Sequence, residues 1–298
     1  MGINLHKGIC ASRSASVQLL IFLLLVSAGA IFSSLLSTVY ILLTQGLETD
    51  MTQNPNLARV IQLIASIGTF LLPALGMAWL CSASPKQYLS IRGIKDPRTW
   101  ILTFVCMLLL TPVINLLGLL NQQMELPAFL APVEEWMRAQ EDLAERLTMT
   151  LLSDNHVEAI IANLIVIALA AGITEEFLFR GALQRVIGKY TTNPHTVIWI
   201  AAALFSAFHL QFYGFLPRML LGAYFGYLLY WGKSIWLPVF AHFTNNAVAV
   251  IGMSDSHWKD SEFITGDIPP EHLLDFTLMA TASLLLFLLA NRLLRRTL

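Results

Sequence analysis

Charge is what this 298-residue sequence has least of: 12% of its residues are Asp, Glu, Lys or Arg, 56% are hydrophobic, and the mean hydropathy is +0.65. Soluble domains run nearer about 25% charged and about 45–50% apolar, so a water-soluble fold is excluded. An excess of one sign is also missing. The 18 Lys and Arg stand against 19 Asp and Glu, for a formal net charge of −1, which removes the footing for a nucleic-acid partner or an acidic disordered tail. Cysteine is scarce. Cys10, Cys81 and Cys106 are odd in number and form no CxxC pair, which argues against a disulfide framework or a thiolate metal site and leaves free thiols. Fixed-period repeats and low-complexity tracts are absent as well.

What the chain has instead is long apolar runs: Val17 to Thr44, Leu57 to Cys81, Trp100 to Leu120, Val157 to Ile187, Thr196 to Phe212, Gly214 to Trp231, Ile235 to Met253 and Leu273 to Ala290. Each is 17 residues or longer, close to the ~20 that a helix needs to cross ~30 Å of hydrocarbon. Alternating ~10-residue segments, the mark of membrane strands, do not occur. Lys7 and Arg13 followed by Ala28-Gly29-Ala30 imitate a cleavable signal, but the run stays apolar to Leu43, so a retained helix is expected. The predicted fold is all-α: one polytopic membrane domain over residues 1–298, with about eight transmembrane helices. Residues 132–155 carry Val133, Trp136, Met137, Leu143, Leu147 and Leu151 at helical spacing among charges, and predict an amphipathic helix at the interface.

Orientation follows from the bias of basic residues toward cytoplasmic loops. With both termini inside, the inner segments hold Lys7, Arg13, Lys86, Arg92, Lys95, Arg98, Arg180, Arg185, Lys189, Lys233, Arg292, Arg295 and Arg296. Only Arg59, Arg138, Arg146, Arg218 and Lys259 fall outside, beside Glu48, Asp50 and acidic stretches over 125–158 and 255–275. The expected location is a multi-pass cell membrane protein, the plasma or inner membrane if bacterial, with cytoplasmic termini. His6, His156, His195, His257 and His272 fall in loops or at interfaces, where they are expected to be solvated.

An ionisable side chain at membrane depth costs at least ~2.5–3.5 kcal/mol on insertion scales, so those present there point to an interior or to water and to function. Three groups meet that test. Glu176 and Arg180 are one helical turn apart and can neutralise each other, whereas Glu175 points about 100° away and needs a partner from another helix. Phe205-Ser-Ala-Phe-His209 lies in the fifth run, and His242 with Asn246 shares one face of the seventh. Counted at ~1.5 Å per residue from the cytoplasmic ends, Glu175, His209 and His242 lie about 21, 24 and 14 Å deep. Modest helix tilt therefore lets them meet in a polar, water-holding cavity. Lone Asn115 and Asn163 read as interhelical hydrogen-bond donors, and Gly222 with Gly226 as a close-packing GxxxG.

In this order, Glu175-Glu176-xxx-Arg180, Phe205-xxx-His209 and His242-xxx-Asn246 resemble the motif set of the CPBP family of intramembrane proteases, relatives of the type II CAAX prenyl endopeptidases (Abi family). The motif-bearing core covers residues 157–253. The resemblance implies an intramembrane endopeptidase in which Glu175, helped by His209, activates water. It makes His242 and Asn246 donors to the oxyanion, with Glu176, Arg180 and Phe205 in support. The implied partners are the lipid bilayer and a membrane-associated peptide or lipidated, CAAX-type protein. The family is also described as metalloproteases, and a zinc ion would take Glu175, His209 and His242; HExxH is absent, and no metal or other cofactor is the favoured reading. Two other classes compete. A proton-coupled transporter also uses buried Glu and His, but it would be expected to show inverted repeats or paired broken helices. A non-catalytic scaffold would bind a helix or lipid without cutting it.

Overall fold

The computed structural model describes residues 7–44, 46, 53–255 and 257–298, so His6, Glu48 and Asp50 lie outside the described residues. Among the described residues the regular structure is helical, without strands: α1 (Ala15–Thr44), α2 (Pro55–Cys81), α3 (Pro97–Gln122), α4 (Ala131–Leu152), α5 (Val157–Ile187), α6 (Pro194–Phe208), α7 (Phe215–Gly232), α8 (Trp236–Ser254) and α9 (Leu273–Leu294), with shorter turns between them. Three starts share one device. Asn54, Asp96 and Asn193 each accept a hydrogen bond from a backbone N–H of the first turn, and each is followed by a proline, whose fixed φ suits the first helical position and whose missing N–H costs nothing there. The predicted amphipathic segment is α4, which buries Met137 and Leu151, turns Glu134 and Glu141 toward Leu126 and Tyr213, and exposes most of its other charges.

The chain is an all-helical polytopic membrane protein. Among the described residues five helices are long and apolar enough to cross a membrane: α1, α2, α3, α5 and the one ending at Leu294. The remaining three of the eight expected spans do not meet that measure. α6 stops after 15 residues, and α7 and α8, at 18 and 19 residues, are diluted by the polar side chains they carry inward. Arg180 also departs from its place in a cytoplasmic segment: it lies inside α5 at 1% exposure, and so carries no topological weight. All three cysteines are free.

Two apolar clusters flank the centre. One joins Met77 and Ala78 of α2 to Leu178, Ala182 and Val186 of α5, and the other joins Cys106, Met107 and Leu110 of α3 to Phe225, Leu237 and Phe287. Between them α5 and α8 approach closely at Gly172, where an added Cβ would stand 3.2 Å from the Val239 carbonyl oxygen. Asn163 bridges as expected: it accepts from Arg59 Nε at 2.7 Å and donates to the Leu151 carbonyl at 2.7 Å, tying α5 to α2 and α4. Asn115 likewise donates to the carbonyls of Glu262 and Phe263.

Candidate active site

The two carboxylates come from a short α-helical stretch, Ala171–Glu176, bracketed within α5 by π-helical turns at Leu164–Ala170 and Phe177–Leu183. A π-turn inserts an extra residue per turn and rotates everything after it, and such turns gather at functional sites. The rotation leaves Glu175 facing a cavity, while Glu176, Phe177 and Arg180 are all buried. His209 enters differently. It caps the end of α6, and Leu210 turns the chain with φ +56, a strained conformation for a branched residue, so the imidazole is presented from a helix end rather than from mid-span. His242 and Asn246 lie one turn apart on α8. These four residues line a cavity of about 390 Å³ together with Gln62, Phe205, Arg218, Phe225 and Asn245.

Distances define two linked layers. In the inner one, Arg180 donates to Glu176 Oε1 at 2.8 Å and to the Gly222 carbonyl at 2.8 Å, and His242 Nδ1 meets the same Glu176 oxygen at 2.8 Å. The arginine also stacks over Phe205, 4.4 Å from the ring centre, while Phe225 lies parallel to the His242 ring at 5.2 Å. In the outer layer Glu175 Oε2 lies 3.8 Å from His209 Nε2 and 4.0 Å from His242 Nε2. Among the described residues that oxygen has no hydrogen-bonding partner. Both rings are fixed from behind. His209 Nδ1 can only donate to the Phe205 carbonyl, 2.9 Å away, and His242 Nδ1 faces the Glu176 oxygen that Arg180 also holds; a neutral imidazole donating through Nδ1 at either position presents a bare Nε2 to the cavity. Asn246 donates one N–H to the Ile167 carbonyl, which belongs to the first π-turn, at 2.8 Å, and retains a second.

A water hydrogen-bonded at ~2.8 Å to both Glu175 and His209 fits their 3.8 Å separation with an angle of about 85–90° at its oxygen. Tetrahedral zinc holds its N and O ligands near 2.0–2.2 Å, hence about 3.4 Å from one another, closer than the 3.8 and 4.0 Å found here. Among the described residues no group of three or more His, Cys, Asp or Glu is placed to hold a metal ion.

Residues 157–248 match the type II CAAX prenyl endopeptidase Rce1-like family. The matched segment runs from the start of α5 into α8 and contains all three motifs, so the resemblance read from them holds there. It leaves out α1 to α4 and α9. No curated protein and no solved structure matches the chain.

Three polar residues of the cavity give little sign of it in the sequence: Gln62 is an isolated amide inside an apolar run, Asn245 sits beside Asn246, and Arg218 falls in an outer segment by charge distribution. In the structure Arg218 donates to the carbonyl and the side-chain oxygen of Gln211 at 3.1 and 2.9 Å, and among the described residues it forms no ion pair. Its place at the edge of a run gave no sign that it would turn inward. Gly222, expected to serve close packing, does so: an added Cβ would stand 3.0 Å from both Arg180 Nη2 and Phe205 Cδ1.

Proposed function

We propose that this protein is an intramembrane endopeptidase that hydrolyses a peptide bond of a membrane-associated or lipidated protein, using water activated by Glu175 and His209. The observation that carries the proposal is the orphaned Glu175 oxygen facing two oriented imidazoles inside a cavity that the membrane helices enclose. Water between Glu175 and His209 attacks the scissile carbonyl carbon, and its proton passes to the Glu175 carboxylate. The carbonyl oxygen, now carrying the charge, takes a hydrogen bond from the free Asn246 N–H, and one from His242 in the form that carries a proton on Nε2, a ring that Glu176 and Arg180 hold in place. Collapse of the tetrahedral species breaks the C–N bond, and Glu175 returns the proton to the departing amine. One preorganised donor of this kind is worth ~3 kcal/mol of barrier.

The cavity-lining residues lie toward the α6–α7 turn, away from the cluster of basic residues. With cytoplasmic termini, the substrate therefore enters from the non-cytoplasmic half. An apolar groove of about 680 Å³ along another face of α8, lined by Phe104, Leu164, Phe240 and Phe243 among others, supports a substrate that carries a lipid chain. Proteomic comparison of membranes containing wild type and Glu175→Ala tests the reading. New amino- or carboxy-terminal ends found only with wild type are expected, and identical peptide ends in both would contradict it. Elemental analysis of active protein should show well under one zinc per chain, whereas one tightly held equivalent lost with His209→Ala or His242→Ala would replace the water mechanism by a metal-dependent one.

A further inference from the structure

At the end of the bundle opposite His209, two adjoining depressions meet at Ser90, Arg185 and Lys233. The first, about 510 Å³, adds Lys86 and Arg92, so four cations line it with no carboxylate among the lining residues. None of the four forms an ion pair among the described residues, although Asp96 with Arg98 and Glu134 with Arg138 show that surface pairs form readily elsewhere. The walls are fixed in place. Ile235 N–H donates to the Ser90 carbonyl at 3.0 Å, and Ser234 donates to the Arg92 carbonyl, which ties the α7–α8 turn to the segment after α2. Arg185 donates to the Gln87 carbonyl and to Ser90 Oγ, both at 2.9 Å. Ser90 and Lys233 hold left-handed backbone conformations, φ 54 and 53, which set the two loops against each other.

The second depression, about 420 Å³, reaches past Tyr230 toward Gln184 and Arg180. Gln184 Oε1 is buried there without a donor among the described residues. A bare inorganic anion would answer the cations and leave that acceptor unmet. A phosphodiester bearing a hydroxyl or an amine answers both, and an exposed tyrosine at the rim is characteristic of headgroup depth. We propose that this site binds the phosphate headgroup of an anionic phospholipid, with Lys86, Arg92, Arg185 and Lys233 on the phosphate and Gln184 accepting from the headgroup hydroxyl.

Native mass spectrometry of the detergent-purified full chain, titrated separately with phosphatidylglycerol, phosphatidylcholine and inorganic phosphate, tests it. Phosphatidylglycerol should be retained in preference to phosphatidylcholine, and Lys86→Gln with Lys233→Gln should weaken it roughly thirtyfold, about the loss of two surface cations. Inorganic phosphate should bind more weakly. Arg92→Gln alone, which leaves the inter-loop hydrogen bonds untouched, should give a smaller loss with an unchanged melting curve and so guards against misfolding. Equal retention of the two lipids, or unaltered binding in the variants, would overturn the site. Inorganic phosphate binding as tightly as the lipid would overturn its assignment to a lipid headgroup.

Discussion

Removing the Arg180 side chain tests the inner layer. Arg180 and Glu176 are 1% and 0% exposed, so Arg180→Ala strips a buried carboxylate of its counter-charge and also removes the side-chain donor to the Gly222 carbonyl, which keeps its helical bond within α7. Breaking a buried pair from one side costs about 3–5 kcal/mol. His242 loses its anchor as well, because Glu176 Oε1 receives both groups. The expected result is a destabilisation of at least about 3 kcal/mol for Arg180→Ala in reversible unfolding in mixed micelles. Replacing the pair together, Arg180→Met with Glu176→Leu, should recover most of that stability, because an apolar pair of similar volume needs no desolvation of charge. The double variant should still be inactive, with His242 Nδ1 left without an acceptor. A loss below about 1 kcal/mol for Arg180→Ala would refute the reasoning, since only an exposed pair is worth so little.

Gly222→Ala should cost about 1–3 kcal/mol, measured in the same unfolding assay, because its Cβ would press on Arg180 and Phe205 at 3.0 Å. Reporter fusions at Leu298 and near Glu141 should land on opposite sides of the membrane, and finding both on one side would remove the proposed topology. Glu134 of α4 is held below its ordinary carboxyl value of 4.5, first by its bond from Arg138 and then by the Leu126 N–H. A depressed folded value gives stability that is present above the unfolded value and lost as pH falls through the folded one, so hydrogen exchange in α4, corrected for intrinsic rate, should quicken as pH falls below that ordinary value. Glu134→Gln should abolish that dependence.

Much of the site was legible because membrane depth makes polarity expensive. In a chain this apolar, Glu175, Glu176, Arg180, His209 and His242 stand out against their surroundings, and the i, i+4 spacing of Glu176 with Arg180 was enough to pair them. Three things were not legible. The π-turns on either side of Ala171–Glu176 leave no mark in local composition. The end of α6 at Phe208 was hidden by an apolar run that continues to Phe212, since hydropathy does not register a turn made by a leucine at positive φ. The tautomers of His209 and His242 depend on what lies behind each ring, a carbonyl four residues back in one and a carboxylate from another helix in the other. The same limit explains Arg59, Arg180 and Arg218: counting charges along a chain cannot distinguish a loop arginine from one folded inward.

The most direct measurement of the central claim is the initial rate at which purified protein, reconstituted in bilayers, cleaves a quenched membrane-associated peptide, compared between wild type and Glu175→Gln. The amide keeps the shape of the carboxylate and removes its capacity to take a proton, so the variant should retain the wild-type melting temperature and lose about 10²–10⁴-fold in rate. Wild-type turnover by a folded Glu175→Gln protein, or no cleavage by wild type of any peptide that the membrane comparison identifies, would contradict the account.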